Sequence, residues 1–170
     1  MLSYNVKEPI HYSPVFDVLI YNMIQIRLNT FFLVGRLSTS QLDYSNEYYT
    51  NSIGSLFLHI NFLQFEFLIT HLEKRFMTNE EIVRYTPAFQ ENLVKKMIKN
   101  HPINYYTGLM LETRDLIIKH FMKKDDDWLL NDKKGKDNIY SIYRHLLDDE
   151  LSHQGQIKLI KKQIIKRKVQ

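Results

Sequence analysis

The stretch Tyr143–Ile160, YRHLLDDELSHQGQIKLI, decides the predicted fold, because its apolar residues follow the spacing of one helix face. Around it, residues 139, 142, 146, 157, 160 and 164 form an apolar stripe. Asp149 and His153 fall on that stripe, where an apolar residue is expected. They are four residues apart, so their side chains project side by side, one helical turn apart. The pattern predicts an amphipathic helix whose apolar face carries a polar pair.

Burying Asp149 and His153 against other helices would cost several kcal/mol unless each side chain has a polar partner. A divalent cation satisfies both groups at once, and an Asp–His pair at this spacing is half of such a site. Simpler interpretations are also open. The two side chains can bond to each other or to a neighbouring helix, or the face can turn toward water at this point.

The composition of the chain favours a single helical domain over residues 1–170. The chain has 170 residues, of which only 5 are Gly and 4 are Pro, and its apolar runs are long, which favours helices over a sheet with many turns. With 0 Cys, a disulfide framework, a cysteine-ligated zinc and a cysteine nucleophile are excluded.

The apolar segments do not predict membrane insertion. Residues 14–37 and 53–69 are interrupted by polar and charged side chains that a bilayer would penalise, and Met1–Tyr12 has no apolar core of the kind found in signal peptides. We therefore expect a cytoplasmic protein. The net charge is +4, but much of the excess lies near the end of the last helix, where cations suit the helix dipole. We do not expect nucleic acid or a membrane to be a partner.

Four long helices are predicted, and together they indicate an all-α four-helix bundle. The segment 38–50 is predicted to be a loop. A capping-box pattern at Thr78–Glu81 predicts a short helical insertion between helices two and three, which restarts at Thr86-Pro87 and ends by Asn100. The predicted long helices are 14–37 with a break at Gly35, 52–75, 104–123, and one from Asp137 or Asn138 onward.

The second long helix carries a polar ridge within about sixty degrees, at 3.6 residues per turn. Periodicity alone leaves two interpretations open: a solvent-exposed face, or the lining of an internal polar site. The ridge consists of Ser52, Ser55, His59, Glu66 and Thr70.

Two segments resemble the DinB/YfiT-like family of metal-dependent enzymes. The segment 51–60, NSIGSLFLHI, is similar to the family's second-helix segment, and 145–156, HLLDDELSHQGQ, resembles its last-helix signature, approximately H-x-x-x-H-E-x-x-H-R-G-Q. Asp149 stands where many members have a ligand histidine, and Gln154 stands where they have arginine. The matching residues are His145, Glu150, His153, Gly155 and Gln156.

The resemblance implies an up-down-down-up bundle, often a homodimer, in which His59, Asp149 and His153 bind one divalent metal ion with an open coordination position. Zinc or nickel is favoured by the affinity order, and the carboxylate extends the range to iron or manganese. Residues expected to orient the ligands or assist catalysis are Glu66, Glu150 and Gln156.

The resemblance also implies a small-molecule substrate. Relatives include transferases that join low-molecular-weight thiols such as bacillithiol, mycothiol or glutathione to electrophiles, and others suspected of being hydrolases. The departures at Asp149 and Gln154 motivate an alternative: a catalytically inactive bundle that acts through protein contacts in stress-related binding.

Overall fold

A computed structural model describes residues 14–46, 48, 51–89, 99–131, 133–134 and 137–167 of the chain. These residues are almost entirely helical, which confirms the all-α prediction. The two short strands pair antiparallel, with Lys133 opposite Asn138. The elements are α1 (Pro14–Val34), α2 (Thr39–Leu42), α3 (Ile53–Phe67) continued by a π-helical segment (Leu68–Glu73), α4 (Asn79–Phe89), α5 (Ile103–Phe121), α6 (Asp126–Asn131), β1 (Lys133–Lys134), β2 (Asp137–Asn138) and α7 (Ile139–Arg167).

The ends of the helices follow local side-chain chemistry. Helix α1 ends at Val34, which confirms the break at Gly35, but the predicted continuation to Leu37 was wrong. Ser52 caps α3, with its hydroxyl accepting from the amide of Ser55. The predicted capping box before α4 is confirmed, because Glu81 N donates to Thr78 Oγ1 at 3.2 Å while Thr78 N donates to Glu81 Oε2 at 2.8 Å.

Two predictions about the connections were wrong. The segment 38–50 is not wholly a loop, since Ser38 and Gln41 form a capping box that starts α2. Helix α4 does not restart at Pro87 but continues through it to Phe89. Proline removes one amide donor, so a helix that passes through it loses one i→i−4 hydrogen bond. The predicted continuation over residues 90–98 lies outside the described residues.

The four long helices α1, α3, α5 and α7 pack against one another. Helix α3 contacts α5 and α7, α1 contacts the same two helices, and α4 packs against α3. The core consists of two apolar clusters, one that includes Phe16, Phe121 and Tyr143, and another that includes Phe57 and Ile160. On each long helix, buried polar residues lie between the residues of the two clusters.

One helix is long and apolar enough to cross a membrane by length and composition, namely Ile53–Glu73. However, 72% of its most apolar window is buried inside the fold. That is the pattern of a core helix packed on several sides.

Candidate metal centre

Helices α3 and α7 each contribute part of a small polar cluster. Helix α3 positions His59, and α7 positions Asp149 and His153 on adjacent turns. His153 Nε2 lies 3.4 Å from Asp149 Oδ2, and the two side chains are 13% and 32% exposed. The cluster is therefore open to solvent on one side.

The two imidazole rings meet across the interface between α3 and α7. The ring centroids of His59 and His153 are 5.1 Å apart, and the planes are nearly perpendicular at 84°. One potential ligand atom each from His59, Asp149 and His153 lies within 4.8 Å of the others. Ligand atoms around a zinc ion, at about 2.0–2.2 Å from the metal, are about 3–3.5 Å apart. Side-chain adjustments of about 1 Å would therefore bring all three groups onto one ion.

His153 provides a test of whether these residues fit a metal ion. Its Nδ1 atom is buried and makes no hydrogen bond with the residues that the structure describes. A buried polar atom without a partner costs about 1–3 kcal/mol. Two imidazole nitrogens and one carboxylate oxygen are a donor set that suits zinc and neighbouring first-row metals. The donor chemistry and the unpaired nitrogen both fit a bound divalent cation.

The position of the cluster on α7 differs from the expected one. The buried face of this helix passes through Leu147, Glu150, Gln154 and Ile157, so the polar residues that interrupt it are Glu150 and Gln154. Asp149 immediately precedes Glu150, and His153 immediately precedes Gln154. A step of one residue is a rotation of about 100° around the helix. They lie at the margin of the buried face. The expectation that this pair replaces core residues was therefore wrong, although the pair does approach His59 as predicted.

Glu150 belongs to a buried ionic network and is not among the three clustered ligand candidates. Its carboxylate is 0% exposed. Oε1 accepts from Arg27 Nε and Thr30 Oγ1, both at 2.9 Å, and Oε2 accepts from Arg114 Nη2, also at 2.9 Å. Oε2 accepts two further hydrogen bonds, from Arg27 Nη2 at 3.1 Å and from Gln64 Nε2 at 3.0 Å.

The charges in this network are strongly coupled. Burial by itself would raise the pKa of Glu150, but the attraction of Arg27 and Arg114 and the hydrogen bonds outweigh it and hold this pKa at about 2. Burial, followed by repulsion from Arg114, lowers the pKa of Arg27 below its usual value. The carboxylate is ionised at neutral pH, and two buried cations share it.

The other arginine contacts tie the network to the backbone of neighbouring helices. Arg27 Nη1 donates to the carbonyl oxygen of Met110 at 2.7 Å, and Arg114 Nη1 donates to that of Met23 at 2.6 Å. Gln154 Nε2 donates to the carbonyl oxygen of Ile26 at 2.9 Å. Side chains from α1, α3, α5 and α7 thus meet in a single polar layer.

The remaining site candidates lie on the surface. Glu66 is exposed, two turns beyond His59 on α3, and is not part of the cluster of three ligand candidates. Gln156 is exposed one turn beyond His153, and His145 is exposed at the other end of the motif. The polar ridge of α3 therefore turns toward solvent at Glu66 and Thr70.

No protein-family profile and no curated protein matches this chain.

Proposed function

We propose that this protein binds one divalent metal ion through His59, Asp149 and His153. The observation that carries the proposal is that potential ligand atoms from two separate helices lie within 4.8 Å of one another. The Nδ1 of His153, which has no hydrogen-bond partner among the described residues, supports it. The partial exposure of Asp149 gives an ion and a small molecule access to the site.

The proposed ion is zinc or nickel, with iron or manganese as the alternatives. Affinities of nitrogen and oxygen sites rise toward the end of the first transition row, and a carboxylate broadens the range of metals that bind. With three protein ligands, a metal ion keeps an open position for water or a substrate atom, as in catalytic sites.

The chemistry that this site supports best is metal-dependent transfer of a low-molecular-weight thiol to an electrophile, or a hydrolase-like reaction. A bound divalent ion would polarise a ligand atom and favour the deprotonated form of a thiol or of water. His59, Asp149 and His153 would hold the ion, and the solvent-exposed side of the cluster would admit the substrate. The resemblance of segments 51–60 and 145–156 to the DinB/YfiT-like family motivates this choice.

We also propose the up-down-down-up arrangement of α1, α3, α5 and α7. It is supported by the order of the contacts between helices, in which residue numbers rise together for a parallel pair and in opposite senses for an antiparallel pair. Helices α3 and α7 are antiparallel, since His59 pairs with His153 and Gln64 with Glu150. Helices α1 and α7 are parallel, since Ile26 pairs with Gln154 and Leu33 with Lys161. Helices α1 and α5 are antiparallel, since Met23 pairs with Arg114 and Arg27 with Met110.

A second candidate is an inactive bundle that acts through protein contacts. It is favoured by large apolar side chains that are exposed on α1, including Tyr21 at 63% and Phe32 at 88%. This candidate predicts that His59→Ala leaves the cellular role unchanged, whereas substitution of the exposed apolar residues abolishes it. If the metal site carries the function, His59→Ala should abolish the cellular role, and substitution of the exposed apolar residues should leave it unchanged.

The test of metal binding is elemental analysis of protein purified without a metal-affinity tag, followed by titration with zinc and nickel. We expect about one equivalent at saturation. His153→Ala should weaken binding by more than the roughly 10–100-fold that loss of an outer hydrogen-bond partner costs. His145→Ala is the matched control, because His145 lies exposed on the same helix. Less than a tenth of an equivalent with no uptake on titration would contradict the proposal.

The test of the chemistry is consumption of a thiol in the presence of monochlorobimane as the electrophile. The reaction should require added metal and should fall to the uncatalysed rate in His153→Ala. Equal rates in wild type and His153→Ala would eliminate the transferase proposal, even if metal binding were established.

A further inference from the structure

The outer face of α7 carries lysine and large apolar side chains together. Ile165 is 52% exposed, Leu159 51% and Leu151 43%. At 100° per residue, these side chains and the exposed lysines between them fall within about 120° of the helix circumference and extend about 22 Å along the helix. We call this surface the basic apolar face; its members are Leu151, Lys158, Leu159, Lys162, Ile165 and Lys166.

An exposed aromatic ring on α1 lies close to the basic apolar face. Helices α1 and α7 are in contact, and Lys161 Nζ donates to the carbonyl oxygen of Leu33 at 2.7 Å. This bond places the end of α1 at the level of Lys158 and Lys162. Phe32, which precedes Leu33, is 88% exposed. Apolar side chains that are exposed side by side mark interaction sites, so Phe32 and the basic apolar face together form a candidate docking surface.

The charge of the basic apolar face is positive. Glu150 is the last acidic residue of the sequence, and among the described residues no salt bridge involves Lys158 or Lys162. The helix dipole favours cations within the last turn of a helix, where Lys166 and Arg167 lie. Because Lys158 and Lys162 come earlier on α7, the dipole does not account for them.

This combination of side chains favours an anionic lipid surface as the partner. Lysines attract the anionic headgroups, while leucine, isoleucine and phenylalanine side chains enter the boundary between headgroups and acyl chains. An acidic protein is a poorer match, because lysine is depleted at protein–protein interfaces. A nucleic acid backbone would bind the lysines but would leave the apolar side chains in water.

We propose that this protein docks reversibly on membranes that contain anionic lipid, through the basic apolar face and Phe32. The expectation that a membrane is not a partner rests on polar residues that interrupt the apolar segments 14–37 and 53–69. Those residues disfavour a spanning helix, but they do not bear on contact at the membrane surface. His153 lies about 180° around α7 from Lys162, so docking leaves the proposed metal site accessible and does not depend on it.

The first experiment is flotation of the full chain with vesicles of phosphatidylglycerol and phosphatidylcholine, compared with vesicles of phosphatidylcholine alone. We expect binding to the anionic vesicles that weakens as salt is added. Lys158→Gln combined with Lys162→Gln should weaken this binding roughly 25-fold, at about fivefold for each lysine. Lys119→Gln combined with Lys123→Gln is the matched control, because it removes the same charge at the same spacing from exposed positions at the end of α5. A wild type that does not bind anionic vesicles, or an equal loss in the control, would overturn the proposal.

The second experiment tests the apolar part of the surface. Phe32→Ser should weaken binding to the anionic vesicles roughly tenfold, because its ring no longer enters the headgroup boundary. Phe76→Ser is the control, since Phe76 is 96% exposed outside α1 and α7. Unchanged binding of Phe32→Ser, or tighter binding of the wild type to duplex DNA than to the vesicles, would overturn the proposal. His153→Ala should bind vesicles as the wild type does, so a failure of docking is distinguished from a failure of the metal site.

Discussion

Replacing Glu150 by glutamine removes its negative charge from the buried network while preserving the size of the side chain. Arg27 and Arg114 are 3% and 2% exposed, so they cannot recover hydration when the negative charge is lost. Breaking a buried ion pair by neutralising one partner costs about 3–5 kcal/mol. A domain of this size has a free energy of unfolding of about 5–15 kcal/mol, so Glu150→Gln should lose a large fraction of it.

The lowered pKa of Glu150 indicates that the folded state is less stable when this carboxyl group is neutral. The shift from 4.5 to about 2 means that the folded state favours the ionised form, and since one pKa unit is worth about 1.4 kcal/mol, the difference corresponds to about 3 kcal/mol. Because the folded-state pKa is depressed, this stability is present above the unfolded-state pKa and is lost as the pH falls through 4.5 toward about 2.

The assay is urea unfolding followed by circular dichroism, repeated at several pH values from neutral to acidic. Glu150→Gln should lower the free energy of unfolding by about 3 kcal/mol or more at neutral pH and should flatten the acid dependence below pH 4.5. Asp148→Asn is the matched control, because Asp148 is exposed on the same helix and pairs with exposed Arg144; it should change stability by less than about 0.5 kcal/mol. A loss of under about 1 kcal/mol in Glu150→Gln would refute the reasoning.

Three further outcomes are expected from urea unfolding. Gly54→Ala should lower the free energy of unfolding by about 1–3 kcal/mol, since a Cβ there would lie 2.7 Å from Tyr106 Oη. An unchanged urea midpoint would show that the Tyr106 ring moves freely. Tyr106→Phe should be nearly neutral or stabilising, because the buried hydroxyl makes no hydrogen bond with described residues; a loss above about 1.5 kcal/mol would contradict this. Asp126→Ala should cost about 0.5–2 kcal/mol, as its carboxylate accepts from the amide of Phe16 at 3.3 Å at the start of α1; Asp127→Ala is the exposed control.

The long helices could be predicted from the sequence, because a helical spacing of apolar residues and the capping residues at helix ends both act locally. The break before Gly35 and the capping box at Thr78 and Glu81 are examples, since each depends on a few adjacent residues. Helix α2 was missed because its segment has a polar composition, although Ser38 followed by Gln41 was a usable capping signal. The π-helical segment after Phe67 has no such local signal.

The buried face of α7 was predicted correctly at Ile139, Ile157, Ile160 and Ile164, but one residue out of place between Ile139 and Ile157. The apolar stripe predicts Ile142 and Leu146 in the core, whereas Tyr143 and Leu147 are the residues fully buried at these two turns. Both sets are apolar and share the same spacing, so hydrophobicity alone does not choose between them. The choice depends on Glu150, whose burial requires cations from other helices.

The buried arginines could not be assigned from local sequence. Arg114 lies between Met110 and Ile117 on an apolar face, and that position was the available signal. Its partner Glu150 is 36 residues away, and Arg27 is 123 residues from Glu150. Burial of such a group is decided by charge compensation across the whole fold, which no single helix reveals.

The approach of His59 to His153 was predictable from the resemblance to the family and from the Asp149–His153 spacing together. Neither periodicity nor composition could join two residues on helices so far apart in sequence. The most direct test is anomalous diffraction at the zinc edge from crystals grown with zinc. One peak is expected at about 2.0–2.2 Å from a ligand atom of each of His59, Asp149 and His153. A map with no peak there, and with His59 turned toward bulk solvent, would contradict it.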